Sequence, residues 1–237
     1  MSGALLLVPS LLGDGAPDDV LPARTLAAAR AIEHWVVETP KAARAFLKAI
    51  GHPGPIASLS IRALPERPDA ATLDALLAPA RAGHAVGMLS DAGAPAVADP
   101  GAALVAAAHA AGIVVQPLVG PSSILLALMA SGLTGQSFAF HGYLPVREAD
   151  RAKRLRELEA DSRANARTQA FIETPFRNAA MIATLCATLA PRTRLCVAAD
   201  LTLPTESIAT RAVAQWRSVD AAAYHKRPAI FLFEAGR

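Results

Sequence analysis

The chain has 237 residues, of which 53% are hydrophobic, and carries 23 Lys and Arg against 20 Asp and Glu, a formal net charge of +3. That length supports one large domain or two small ones with a sizeable core, and the apolar content comes mostly from alanine and leucine, which do not by themselves indicate a membrane protein. Cys186 and Cys196 have no metal-ligand spacing, so buried thiols in a cytosolic chain are expected rather than a metal site.

Charge is unevenly placed: residues 1–119 sum to −2 and residues 120–237 to +5. The second half is therefore the one suited to an anion such as RNA. The start, MSGALLLVPS, has neither a basic n-region nor a small-residue cleavage site. It predicts a buried first strand over Gly3 to Pro9 and not a signal peptide. A turn-rich loop follows, LLGDGAPDDVLP, and then a helix from about Leu21 to near Ile32. His34 to Glu38 reads as a second strand, and Pro40 opens a helix to Ile50, stopped by Gly51. Strands at Ile56 to Ile61, 85–90 and Ile113 to Leu118 are separated by helices at Asp69 to Ala82 and 101–111. This rhythm, with crossovers of ten or more residues, predicts a parallel sheet with helices on both faces over 1–118.

From Pro100 to Val146 there is no Asp, Glu, Lys or Arg, but Pro100, Pro117 and Pro121, with Gly101, Gly112, Gly120, Gly132 and Gly135, cut the stretch into pieces too short to span a membrane, which needs roughly 20 residues. It predicts buried core. Gly120-Pro121-Ser122-Ser123 opens a helix with proline at N1. Its free N–H groups suit a polar or anionic ligand, or the two hydroxyls satisfy that terminus themselves. Beyond it lie a half-buried strand over Ser137 to Leu144, a charged helix at 148–161, a strand at 168–173 and a helix from Thr174-Pro175 through Leu189. Strands at Leu195 to Ala199, Glu206 to Val213 and Ala229 to Glu234, paired antiparallel, complete a mixed second domain, 119–237.

Chemistry concentrates in 84–101, HAVGMLSDAGAPAVADPG. An apolar strand there ends in Ser90 and Asp91, at the carboxyl end where open α/β sheets bind ligands, and Gly93, Pro95, Pro100 and Gly101 leave the backbone available for contacts. The plainer alternative has Asp91 capping a turn and Asp99 capping a helix opened by Pro100. The dinucleotide fingerprint and the P-loop are absent, and no paired-histidine spacing supports a metal. Among six histidines, His141, just before Gly142-Tyr143-Leu144-Pro145, is the best placed for chemistry. Arg147, Arg151 and Arg154 fall at i, i+4 and i+7, so one helical face either tracks a phosphate backbone or is a solvated face laced with Glu148, Glu157 and Glu159. Glu173 and Arg177 pair an acid at a strand end with an arginine in the next turn, a site or a satisfied cap.

The pattern Ser90-Asp91-Ala92-Gly93, Pro95, Asp99-Pro100-Gly101, then Gly120-Pro121-Ser122-Ser123, Ser131-Gly132-Leu133, Gly142-Tyr143-Leu144-Pro145 with Arg151, and Glu173-Thr174-Pro175 with Arg177 resembles the tetrapyrrole methylase superfamily of S-adenosylmethionine (SAM) dependent methyltransferases. Within it the likeness is to the 16S rRNA ribose-2′-O-methyltransferase branch, of which this looks like a divergent member. The resemblance implies two α/β domains with SAM in the cleft between them, a homodimer, and transfer to an RNA ribose hydroxyl without a metal. Carried over, the donor contacts are Pro9, Ser90, Asp91, Ala94, Ser122, Ser123, Tyr143, Ile172, Ala199 and Asp200. The carboxylates available as a base are Glu38, Glu173 and Asp200, and the cations for a phosphate are Lys41, Arg147, Arg151, Arg154 and Arg177. Departures fall at Pro9-Ser10-Leu11-Leu12 for PIGN, Glu38-Thr39-Pro40-Lys41 for EDTR, and Ala199-Asp200-Leu201-Thr202-Leu203 for RELTK. They leave the acceptor open: small-subunit rRNA, a tetrapyrrole or other small molecule, or none in a SAM-binding protein that is not a catalyst.

Overall fold

The register of the first sheet decides what reaches its carboxyl edge. In the computed structural model, which describes residues 3–236, the chain divides after Ser122 into two units. The first contains β1 (Ala4–Val8), a short α1 (Pro17–Val20), α2 (Ala23–Arg30), β2 (His34–Val37), α3 (Pro40–Ala49), β3 (Ser60–Ala63), α4 (Ala70–Arg81), β4 (Val86–Leu89), α5 (Ala102–Ala110) and β5 (Val114–Pro117). Its strands form the parallel order β3-β2-β4-β1-β5. Val8 and Val37 both stand beside Leu89, and Leu7 beside Pro117, so the turns after β1, β2, β4 and β5 emerge abreast.

Both faces of this sheet are covered, which is why β4 is buried at every position. Leu26, Trp35, Phe46 and Leu47 pack one face, and Leu77, Met88 and Leu104 the other. Gly87 is required there, because a Cβ would stand 2.7 Å from the Trp35 ring.

The second unit contains α6 (Ser123–Ser131), β6 (Phe138–Tyr143), α7 (Glu148–Asn165), β7 (Thr168–Glu173), α8 (Asn178–Thr188), β8 (Arg194–Ala199), β9 (Ser207–Ala212), α9 (Val213–Trp216) and β10 (Ala229–Glu234). The sheet is mixed, in the order β6-β7-β10-β8-β9, with β6 and β7 parallel and the remaining pairs antiparallel. Ala229 stands beside both Glu173 and Ala199, so the carboxyl ends of β7 and β8 share one edge. Phe171 and Phe231 stack at 5.3 Å in its core, and Trp216 donates its indole N–H to the Leu195 carbonyl. Both cysteines are buried free thiols, pushed above their ordinary pKa by that burial. Among the described residues no helix is long and apolar enough to cross a membrane.

Several expectations need correction. The third strand is Ser60–Ala63, preceded by a 3₁₀ turn at Ile56–Ser58 in which the Ser58 hydroxyl donates to the Pro55 carbonyl at 2.7 Å. As an edge strand with three exposed positions, it follows no apolar run. Asp99 caps nothing: α5 starts after Gly101, at φ 141°. The helix after Gly120 starts at Ser123, leaving Pro121 outside it, because Leu118 still bonds to Leu7 and the Val119 carbonyl accepts the Thr25 hydroxyl at 2.7 Å. The segment at 175–189 begins as a 3₁₀ turn, Pro175–Arg177, since the Pro175 carbonyl is taken by the Lys226 N–H at 2.9 Å. The loop after β1 holds a short helix with Pro17 at its first position, and the charged helix runs on to Asn165.

A Cβ on Gly101 would lie 1.7 Å from Met88 Cε, whereas Gly112, at φ 66°, faces open space. Gly101→Ala is therefore expected to cost about 3 kcal/mol, combining backbone strain with overpacking, and Gly112→Ala only about 1 kcal/mol. Urea denaturation of the two variants checks the contrast; equal losses would contradict it.

Candidate functional site

Three carboxylates converge on the carboxyl edge of the first sheet. Glu38 follows β2, and its Oε2 accepts the Asp91 backbone N–H at 3.0 Å. Asp91 follows β4 and returns the link, accepting the Thr39 N–H at 3.1 Å and the Thr39 hydroxyl at 2.7 Å. Parallel neighbours make no turn with each other, so side chains fasten their ends here. The turn after β1 joins them, as the Ser10 N–H donates to the Gly93 carbonyl at 2.8 Å. Pro9 is buried against Gly120, where a Cβ would fall 2.5 Å from the Pro9 Cβ. The close approach of the β1 and β5 turns requires that glycine.

The rest of the loop is strained. Ala96 and Ala98 both hold positive φ, at 65° and 67°, a region alanine enters at a cost of about 1–2 kcal/mol each. Ser90 is buried, Ala94 half-buried and Asp91 exposed. The Asp99 carboxyl is pushed up to about 6, first by burial, then by the charges of Glu38 and Asp91, while a hydrogen bond from Ser90 opposes the shift. Among the described residues no Lys, Arg or His lies within ion-pair distance of Glu38, Asp91 or Asp99. Lys41 is exposed in the first turn of α3, close in sequence to Glu38.

In the second unit the equivalent edge is arranged the opposite way. Glu173 is buried, and its Oε1 accepts the Thr174 N–H and two guanidinium N–H groups of Arg177, at 2.6 and 3.0 Å. Asp200, at φ 52°, is held by the Thr205 hydroxyl and by Arg227 Nε, both at 2.8 Å. Arg227 also donates to the Thr205 carbonyl and the Ser207 hydroxyl, closing the loop after β8. Nothing in the spacing joined Arg227 to Asp200; only the antiparallel return of β10 does. Ala199 is buried, Ile172 half-buried and Tyr143 exposed beside it, next to a register shift in β6. Ser122 and Ser123 are both half-buried.

The three arginines of the charged helix do not share an open face. Arg147 is 86% exposed and Arg154 pairs with Glu157 at 3.2 Å, but Arg151 is buried and donates to the carbonyls of Pro145 and Val146 and to the Thr184 hydroxyl. Its periodicity was real, but the face it marks turns inward at Arg151. His141 is held by Gln169 at 2.6 Å, whose amide donates to Asp161; that hydrogen bond keeps the Asp161 carboxyl below its ordinary pKa.

The raised Asp99 gives a signed pH effect. A carboxyl titrating near 6 when folded and near 3.8 when unfolded binds protons better in the native state, so its contribution is favourable below pH 4 and is lost as pH rises through 6. Asp99→Asn is expected to raise stability at pH 8 by about 1 kcal/mol, discounted for partial exposure, with no gain at pH 4. Thermal denaturation at the two pH values measures it, and equal differences at both would contradict the assignment.

The family profile described as Tetrapyrrole (Corrin/Porphyrin) Methylases matches residues 12–215. The chain is similar to proteins named ribosomal RNA small subunit methyltransferase I: at 38% identity over 183 residues to that of Mycobacterium bovis, covering 76% of this chain and 60% of the relative, and at 30% over 206 residues to that of Escherichia coli O157:H7, covering 87% and 68%. Against the Mesorhizobium japonicum relative, 38% identical over 135 residues and 57% of this chain, it spans 45% of that protein's length. It thus spans about half to two thirds of these curated relatives. The fold is similar to the crystal structures of the methyltransferase CobJ (TM-score 0.63, 22% identity, 99% of this chain and 95% of that one) and of uroporphyrin-III-C-methyltransferase from Thermus thermophilus (TM-score 0.56, 23% identity, 99% and 93%). A profile match across most of the chain, over a parallel sheet whose carboxyl edge gathers Glu38, Asp91 and Asp99, places this protein in the tetrapyrrole methylase family.

Proposed function

We propose that the protein is a SAM-dependent methyltransferase acting on a ribose hydroxyl of small-subunit rRNA in the cytoplasm, as a homodimer. The observation that carries the reading is the set of carboxylates at the first sheet's edge, left without cationic partners among the described residues. SAM bears a sulfonium and an ammonium group, and such a set fits a ligand with positive charge. The names of the relatives and the basic second half support an rRNA acceptor.

Asp91, Ser90, Ala94 and the turn at Pro9 are the residues of the first unit that would hold SAM. Ser122, Ser123, Tyr143, Ile172, Ala199 and Asp200 are further donor contacts proposed from the family pattern. When bound, SAM supplies a methyl group on an activated leaving group. The residues of this chain then have to orient the acceptor, exclude water and accept the hydroxyl proton, and positioning of this kind can lower a barrier by several kcal/mol. Glu173 and Asp200 already have an oxygen engaged by arginine, and Glu38 has one engaged by the Asp91 N–H. Asp99, pushed up to about 6 by burial, is the carboxylate best suited to take a proton near neutrality. Lys41, Arg147, Arg154 and Arg177 are the cations proposed for phosphate contact; the buried Arg151 is left to hold the Pro145-Val146 turn.

The departures at 38–41 and 199–203 favour a second reading, transfer to a tetrapyrrole or other small molecule on the same SAM site. Labelled methyl transfer from SAM separates the two: incorporation into small ribosomal subunits supports the first, and incorporation only into a small-molecule fraction supports the second. For the SAM site itself, calorimetry is expected to detect binding that Asp91→Arg weakens at least about tenfold, since the change removes an attractive charge and adds a repulsive one. Unchanged affinity would remove Asp91 from the site.

A further inference from the structure

Phe176 stands 68% exposed in the 3₁₀ turn after β7, at the sheet edge that carries Glu173 and Asp200. A lone exposed phenylalanine needs no explanation, but this one is built into a fixed frame. The Lys226 N–H donates to the Pro175 carbonyl at 2.9 Å, and the buried Asn178 side chain donates to the carbonyls of Tyr224 and Arg227 at 3.0 and 2.7 Å. Three hydrogen bonds thus join the 175–178 turn to the 224–227 turn. Lys226 takes positive φ, 61°, and its ammonium lies 6.0 Å from the centre of the Phe176 ring, while the His225 ring meets it edge-on at 6.2 Å. Next in sequence, Arg177 commits Nε and one terminal nitrogen to Glu173, and its side chain is 36% exposed.

An exposed aromatic ring on a braced turn, with a lysine ammonium over one face and an arginine next in sequence, is an arrangement that holds an unpaired nucleobase by stacking while its phosphate meets the charges. We infer that Phe176, with Lys226 and Arg177 beside it, is a stacking platform for one unpaired base of single-stranded RNA. This rests on the RNA reading above and narrows it. A base inside a duplex has both faces covered and does not fit, so the acceptor segment is a loop, bulge or unpaired end.

The test uses a short single-stranded RNA carrying 2-aminopurine, whose fluorescence falls when the base stacks on a ring, titrated into the full chain. Wild type is expected to bind and quench. Phe176→Ala is expected to bind about tenfold or more weakly and to lose the quench at saturation, with an unchanged melting temperature. Phe176→Trp is expected to restore both, and Lys226→Gln to lower the salt dependence while retaining the quench. Binding and quenching by Phe176→Ala equal to wild type would overturn the platform and leave the RNA reading standing. Failure of the wild type to bind single-stranded RNA while it still transfers methyl groups to small ribosomal subunits would overturn the platform alone, and loss of both with SAM binding intact would overturn the RNA reading as well.

Discussion

Glu38 and Asp91 hold each other through the backbone: one carboxylate takes the N–H at the head of the next loop, and the other takes both donors of Thr39. Parallel strands leave their ends unconnected, so without such ties the turns after β2 and β4 would diverge. The exchange fixes two acidic side chains at adjacent strand ends, and burial, reinforced by their charge, pushes the Asp99 carboxyl up to about 6. Strain at Ala96 and Ala98 and the glycine-only turn at Gly101 are further costs carried by the same loop. A stretch that holds unpaired charge and unfavourable dihedrals in an otherwise well-packed unit is the usual mark of a binding loop.

The two units treat their acids differently. In the first, Glu38 and Asp91 bond to backbone N–H groups and a hydroxyl and have no cationic partner among the described residues. In the second, Glu173 and Asp200 are each neutralised by an arginine, and Arg227 spends its guanidinium closing the loop after β8. That division leaves acids without arginine partners at the first edge among the described residues, and an aromatic ring beside Lys226 at the second. Residues 199–203 therefore carry a paired acid, Asp200, in a loop braced by Arg227.

Much of the fold was legible in the sequence. The βα alternation, the buried β4 and the mixed second sheet follow from apolar runs and punctuation by Gly and Pro, and the motifs from Ser90 to Gly101 and from Gly120 to Ser123 carried the family. What failed did so locally. Pro100 and Pro121 looked like first helical positions, yet each helix begins two residues later, because Gly101 and the 118–120 segment make tertiary contacts that a local pattern does not contain. The arginine stripe gave the right period without saying which face was buried, and Arg151 lies inside. Partnerships such as Asp200 with Arg227, or Pro175 with Lys226, join residues far apart in the chain and arise only from strand order.

SAM at the carboxyl edge of the first sheet is the proposal on which the other readings turn. Hydrogen–deuterium exchange of the full chain with and without SAM tests it most directly. Slowed exchange is expected in 90–101, where the loop would be ordered by ligand, and in the adjoining turns at 9–13 and 119–123. Slowing confined to other segments, or no change at saturating SAM, would contradict the account.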